Sequence, residues 1–391
     1  MLEIKNKANC SWCHSCYNIC PTWAIKMEID DKGFKYPIID KKKCINCWMC
    51  EKVCPIININ KWYNINEAYA MINNNEQIRL NSSSWWIFNL LANEILLEWW
   101  IIFWAAFDED MSVKHISVSN KENLYKLMTS KYLQSNIWDT YKECKKYLET
   151  WKTVLFTWTP CQIEWLYSFL QNEYDNLYTQ DLICHWAPSP KIRQMYLKFM
   201  ENKKGIKTQK ANFRQKNNWW SKFSLSLNNN KYNERHWNDL YMKLFLQNYI
   251  LRDSCYSCKF KKMNRMSDIT LADFRWVRNI VENMDDDKWT SLVIIHSPKW
   301  EKLYNKIRDF CEYKKVDFDK SISFNHSYYE SYKIPRNREE VFKEINSNNF
   351  DKIVKKYTWW QVKIIKKYIN LIFYSIIKFI KNFIKKLSNK H

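Results

Sequence analysis

The sequence predicts two folded units of different class, a small α+β unit over residues 1–62 and a larger α/β unit over residues 63–320, closed by a basic amphipathic helix. Three observations predict this arrangement. Eight cysteines fall within residues 10–54 in two runs of the same spacing. Beyond residue 62 apolar strand patterns alternate with amphipathic helix patterns, the texture of layered α/β structure. From residue 361 to the end, Ile, Leu, Phe and Tyr recur with lysines at helical spacing.

The first unit is an internal repeat at an offset of 34: Cys10, Cys13, Cys16, Cys20 and Pro21 are matched by Cys44, Cys47, Cys50, Cys54 and Pro55. Each run reads Cys-x-x-Cys-x-x-Cys-x-x-x-Cys-Pro. In that spacing three close thiolates grip one face of an iron–sulfur cubane and the fourth crosses to the other cluster. Cys10, Cys13, Cys16 and Cys54 are therefore expected to hold one 4Fe-4S cluster, and Cys44, Cys47, Cys50 and Cys20 the other. Zinc sites or disulfides are the alternatives, but zinc takes four ligands per site and does not call for this interleaving with its two prolines. Such clusters move single electrons, so a second redox centre is expected downstream, a flavin being the natural one-electron to hydride converter.

Composition narrows the rest. A disulfide scaffold would suit fourteen cysteines only in a short secreted chain, and Met1–Ala8 is too short and polar for a signal peptide, which points to a reducing, cytoplasmic setting. The net charge of +21 reflects lysine spread along the whole chain, so no nucleic-acid partner is expected. Two glycines stand beside 22 tryptophans, where about 7 % glycine is usual. Many tryptophans come in pairs (Trp85-Trp86, Trp99-Trp100, Trp219-Trp220, Trp359-Trp360) or sit in ligand loops, at Trp12, Trp23 and Trp48, where a chain needs small residues and positive φ. Either the protein is truly tryptophan-rich, or most of these positions are glycine, encoded by UGA in a lineage that reads that codon as glycine.

Along the larger unit, strands are expected near 101–107, 153–157, 179–184, 269–273 and 291–296, and helices near 86–98, 161–171 and 299–311. Residues 321–360 read as a polar connection with one short helix at 338–345. Cys161 falls where a strand ends and a helix begins, a place that favours a thiolate. Cys184 ends a second strand, and Cys255 and Cys258 form a Cys-x-x-Cys pair beside a basic run. Taken singly each could be a buried or reactive thiol. Cys144 and Cys311, in a helical stretch and near a helix end, are expected to be ordinary thiols, and His185 a structural residue or a proton relay.

Read together, Phe156-Thr-Trp-Thr-Pro-Cys-Gln-Ile163, Cys184-His-Trp-Ala-Pro-Ser-Pro190, Cys255-Tyr-Ser-Cys258 and Asp268-Ile-Thr-Leu-Ala-Asp-Phe274 resemble the coenzyme F-420 hydrogenase/dehydrogenase beta-subunit family. Asp287–Ser291, Ser297–Trp300 and Ser82–Trp86 extend the resemblance, which covers about residues 5–312 and is nearest to the bacterial form with a fused ferredoxin, often found among surface-polysaccharide genes. It implies an α+β ferredoxin-like 2x4Fe-4S domain (1–62), then an α/β flavin/iron-sulfur domain (63–150 and 151–320), with 321–391 as connector and C-terminal amphipathic helix. It also implies a third 4Fe-4S cluster on Cys161, Cys184, Cys255 and Cys258, and an FAD or FMN. The flavin contacts implied are Ser82, Ser83, Ser84, Trp85 and Trp86; Thr157, Trp158, Thr159, Pro160 and Gln162; and Lys288, Thr290 and Ser291. Serine and threonine there would also serve as plain helix N-caps. Tryptophan stands wherever the family's loops want glycine.

The expected function is that of an iron–sulfur flavoprotein oxidoreductase exchanging electrons with a ferredoxin-like or other redox protein and hydride with a small molecule. The alternative is a non-catalytic electron-transfer subunit feeding a separate oxidoreductase. The tail over 361–391 has the composition of a helix on an anionic membrane surface, the inner face of the membrane for a cytoplasmic protein, or of one docked on protein. Its uncharged runs, about ten residues at most, are too short for a span of about 20.

Overall fold

A computed structural model describes residues 4–58, 65–82, 86–216, 220 and 222–358. In the first unit α1 (Ser15–Ile19) and α2 (Met49–Lys52) each carry part of a cysteine run, and β1 (Ile25–Ile29) pairs antiparallel with β2 (Lys35–Ile39) between the runs. Its own apolar core is small, being Cys16 and Ile25 on one side and Cys10, Phe34 and Tyr36 on the other.

The larger unit is built on one eight-stranded mixed sheet. Its elements are β3 (Glu67–Asn73), α3 (Glu76–Asn81), α4 (Trp86–Leu96), β4 (Ile101–Phe107), β5 (Val113–Val118), α5 (Thr140–Glu149), β6 (Val154–Thr157), α6 (Pro160–Leu170) and β7 (Leu177–Leu182). Then come α7 (Pro190–Lys204), β8 (Ala211–Gln215), β9 (Ser224–Leu227), β10 (Tyr232–Arg235), α8 (Leu240–Leu246), β11 (Ile269–Asp273), β12 (Ser291–Ile295), α9 (Lys299–Ile307), β13 (Cys311–Val316), α10 (Phe318–Ser323) and α11 (Arg338–Glu344). The sheet order is β13-β3-β12-β11-β7-β6-β4-β5. Its centre, β4-β6-β7-β11, is parallel, and antiparallel strands finish both edges. The parallel strands are buried on both faces and read as continuous apolar runs: β6 (Val-Leu-Phe-Thr) is wholly buried, which is why the runs at 101–107 and 153–157 read as strands from sequence. Helices α4 and α9 cover one face, α5 and α6 the other.

The strands and helices expected over 86–307 are present with ends shifted by a few residues. Two expectations need correction. Cys311 opens β13 rather than lying near a helix end, because the helix breaks into a single tight turn at Arg308–Phe310 and the chain turns back to pair with β3. Residues 321–358 are not a mere polar connection: Val341, Ile345, Phe350 and Val354 are buried in a second core with α7, α8 and the small antiparallel sheet β8-β9-β10. Their apolar residues are sparse along the sequence and meet only in three dimensions. The expected tail helix at 361–391 lies outside the described residues.

Backbone geometry singles out one residue type. Nineteen described non-glycine residues have positive φ; six are asparagine, which tolerates it, and eight are tryptophan: Trp12, Trp23, Trp48, Trp99, Trp138, Trp151, Trp276 and Trp289. At about 1–2 kcal/mol each, eight such residues would cost about as much as the whole stability of a typical domain, about 5–15 kcal/mol.

Candidate functional site

Three sets of thiols and one cleft lie in sequence across the molecule. Cys20, Cys44, Cys47 and Cys50 line one small cavity, the set expected for the second cluster. The other expected set clusters beside it. Burial pushes the Cys13 thiol up to about 12, with Cys54 and Cys10 adding their charge, and Cys16 is raised by burial and then by Cys13, Cys10 and Cys54. The left-handed turns at Trp12, His14, Asn46 and Trp48 bend the backbone around both sets.

Cys161, Cys184, Cys255 and Cys258 line a further small cavity of about 60 Å³. They arrive from three places. Cys161 is in the first turn of α6, entered through Thr159 and Pro160 at its start; Cys184 follows the end of β7; Cys255 and Cys258 follow the strand-like stretch around Leu251. Burial pushes Cys184 and Cys255 up to about 12, each further raised by its neighbouring thiols. Facing the same cavity are three buried cations, Lys261, Arg265 and Arg252. Lys261 Nζ, Arg265 Nε and one terminal nitrogen of Arg252 have no hydrogen-bond partner. Four thiols opposed by three buried cations, each with an unpaired nitrogen, fit a bound group that carries net negative charge and deprotonates its ligands. Among the described residues no three His, Cys, Asp or Glu side chains come close enough to share a single metal ion. A cubane spreads its thiolates wider than one tetrahedral ion does.

The cleft, of about 820 Å³, opens beyond the carboxyl ends of β6, β7 and β11, where ligands bind in open parallel sheets. It is lined by Trp158 and Thr159 after β6, Leu182–Trp186 after β7 and Leu271–Arg278 at and after β11. Cys184, Trp158, Thr159 and Trp186 line both the cleft and the four-thiol cavity, so the two are neighbours through the same loops. Three ties set the strands in register. Thr179 on β7 donates to the buried Asp268 carboxylate from its N–H (2.7 Å) and hydroxyl (2.9 Å), and Ser297 donates to the other oxygen.

Of the expected flavin contacts, Ser82, Trp158, Thr159 and Thr290 line this cleft. Ser82 donates to Ile78 O at 2.8 Å and Thr290 to Met284 O, so both hydroxyls also brace their own turns. Trp86 is fully buried in the core. Thr157 turns into the sheet, donating to Phe103 O at 3.2 Å. Pro160 and Gln162 line the thiol cavity instead, Gln162 donating to Ser135 O at 3.1 Å. Ser291 is buried in β12, and Lys288 pairs with Glu76 at the surface. Ser83, Ser84 and Trp85 lie outside the described residues.

Several cleft residues escaped the sequence reading. Lys131 is 5 % exposed, and burial pulls it down to about 7; its ammonium donates to the carbonyls of Leu127 (3.0 Å), Met128 (2.8 Å) and Thr129 (3.3 Å). Arg214 makes a bidentate pair with Asp273 (3.1 and 2.5 Å) at the end of β11. Arg275 and Arg278 add positive charge to the wall. His185 is held neutral, at about 3, by burial and then by Lys261 and Arg275. No local pattern marks Lys131, Arg214, Arg275 or Arg278, whereas His185 was singled out in the sequence as a structural residue or a proton relay. The one available signal was their place just after a strand or in a long loop, as with Ser130–Leu133.

Comparison with known proteins agrees on both units. Residues 151–320 match the coenzyme F420 hydrogenase/dehydrogenase beta subunit family, C terminus, and residues 9–57 match the 4Fe-4S dicluster domain. Over 58 residues the chain is 36 % identical to an uncharacterized polyferredoxin-like protein of Methanocaldococcus jannaschii, a match spanning 13 % of this chain and 34 % of that protein's length. Among solved structures, 78 % of the chain overlays 92 % of a chain in the F420-reducing NiFe hydrogenase complex from Methanosarcina barkeri, at 14 % identity and a TM-score of 0.44.

Proposed function

With residues 151–320 in the coenzyme F420 hydrogenase/dehydrogenase beta-subunit family and a 4Fe-4S dicluster domain in front of them, we propose that this chain is an iron–sulfur flavoprotein oxidoreductase, linking a one-electron protein partner to a small hydride donor or acceptor. The observation that carries this reading is the shared wall: Cys184, of the four-thiol set, also lines the cleft. Cys13, Cys161 and Cys258 pack against one apolar cluster, which supports a path between the first dicluster set and the four-thiol set.

A 4Fe-4S cluster passes single electrons, and a flavin exchanges both single electrons and hydride. What the chain itself contributes is placement. Cys161, Cys184, Cys255 and Cys258 would hold a third cluster, with Lys261, Arg265 and Arg252 offsetting its charge. Thr159 and Arg275 would meet a phosphate-bearing ring cofactor in the cleft, with the apolar side chains of Phe88, Leu182 and Phe245 along its walls.

Anaerobic reconstitution tests the reading. Three four-iron clusters give about twelve irons per chain, with one flavin. Cys184→Ser is expected to lose about four irons and to leave the dicluster signals unchanged. Full iron content with no flavin would instead favour the electron-transfer subunit feeding a separate enzyme.

A further inference from the structure

We propose that the positions occupied by tryptophan in left-handed turns are glycine in the working protein, encoded by UGA, and that the walls of the cleft are correspondingly more open. The argument does not depend on which ligands the cleft takes. Its first support is a comparison built into the fold. The cysteine repeat places residues 12 and 46 in one equivalent slot and residues 14 and 48 in another. Both slots are left-handed in both copies: Trp12 at φ 62° and Asn46 at 53°, His14 at 63° and Trp48 at 60°. Asparagine and histidine are side chains that accept this backbone; tryptophan is among those that resist it, and glycine takes it freely. The turn geometry is thus demanded by the cysteine run, and tryptophan stands where glycine belongs.

A second support is the control supplied by the other aromatics. Tyrosine and phenylalanine are together twice as numerous as tryptophan in the chain, 24 and 20 against 22, yet among the described residues none of them has positive φ while eight tryptophans do. A bulky ring does not find its way into such turns for packing reasons either: Trp151 is 89 % exposed and Trp99 79 %. The third support comes from the interior. Buried indole N–H groups ordinarily find an acceptor, as Trp300 does at Thr179 O (3.3 Å), but those of Trp12, Trp86, Trp158, Trp165 and Trp186 have none. Trp12 is the one of these in a left-handed turn, and glycine there removes the orphaned donor together with the ring.

The consequence falls on the site. Of the eight left-handed tryptophans, Trp276 and Trp289 wall the cleft. As glycine they withdraw two indoles and bare the backbone of that wall, which suits an anionic, phosphate-bearing ligand.

The test is the codon at each of the eight left-handed positions, together with peptide masses of the protein purified from its own cells. UGA codons and peptides lighter by one indolylmethyl group per position are the expected result. A UGG codon at any of the eight, or a peptide carrying tryptophan there, overturns the proposal. A third measurement separates backbone strain from cleft chemistry. The chain made with Trp12→Gly, Trp48→Gly, Trp99→Gly and Trp151→Gly, none of them in the cleft, is expected to melt well above the tryptophan form. Equal or lower melting contradicts the proposal.

Discussion

Lys261 shows how a residue with no motif can shape a redox site. It is 9 % exposed, faces the four thiols, and lacks a hydrogen-bond partner. Burial pulls its pKa down to about 8, against the upward pull of Cys184 and Cys258. A buried cation beside an electron-accepting group stabilises the reduced, more negative form. Replacing it by an uncharged side chain of like bulk, Lys261→Met, should therefore lower the midpoint potential of the cluster proposed for these four thiols. A loss of about 1–2 kcal/mol of attraction in a medium of effective dielectric about 20 corresponds to roughly 50–80 mV, since about 59 mV is tenfold in a one-electron equilibrium. An EPR-monitored titration reads this directly, with the two dicluster potentials as internal controls; an unmoved third potential would mean the ammonium points away from the cluster. The eight cysteines of the first unit show their pattern in local spacing, whereas Cys161, Cys184, Cys255 and Cys258 were joined only through the family resemblance. Lys261 and Lys131 were not legible in the sequence, since a lysine gains its role only when the fold strips it of water.

At the scale of elements, β5 and β6 are joined by a buried histidine. His115 on β5 is hydrogen-bonded to Ser135 Oγ (2.6 Å) and Thr157 O (3.2 Å) and stacks on Phe156 of β6. Burial lowers it to about 3. Unfolded, a histidine takes its proton near pH 6.5. The folded state binds fewer protons between those values, so stability present above about pH 6.5 is lost as the pH falls, by about 1.4 kcal/mol per unit. His115→Gln, which cannot titrate, is expected to start less stable than the parent at pH 7 and to close that gap by about 2 kcal/mol by pH 5, read from denaturant midpoints. A constant gap would show that His115 takes up its proton without unfolding. A second expectation concerns the first unit, whose few buried apolar residues make a core too slight to hold it alone. Removing iron anaerobically should abolish amide protection in β1 and β2 while leaving β6 and β7 protected; retained protection would mean the unit folds without its clusters. Strands of the central sheet were readable because burial on both faces makes them uniformly apolar. The edge strands β5 and β13, β3 between β13 and β12, and the small β8-β9-β10 sheet were missed, since their mixed polar and apolar sequences resemble loops until a neighbour pairs with them.

The proposed relay requires the first unit to stay docked, and a buried arginine is central to the docking. Arg252, buried at the edge of the four-thiol cavity, donates from Nε to Cys10 O (2.9 Å) and from a terminal nitrogen to Lys35 O (2.8 Å), joining a ligand loop of the first unit to the larger one. Around it Ser189 donates to Lys32 O (2.5 Å), Lys191 to Asp31 O (2.6 Å) and Gln134 to Ser11 O (2.9 Å). These acceptors are backbone carbonyls, so the interface reads the path of the chain rather than its side chains, and nothing in the sequence of residues 30–36 announces it. Arg252, 1 % exposed, makes two of these bonds from one buried charge. Hydrogen bonds from a charged group are each worth about 1.5–3 kcal/mol, and Arg252→Met strands two buried carbonyls. Weakening by roughly 3 kcal/mol or more follows, which should speed amide exchange over residues 30–36 by about a hundredfold. It should also slow electron passage from the dicluster unit to the third cluster, while exchange in β4, β6 and β7 stays as it was. If the exchange pattern instead changes across the whole sheet, Arg252 belongs to the larger unit's core and the docking rests on the serine and lysine contacts; if nothing changes, the two units are held by their apolar contacts around Cys13 and Ile56 alone.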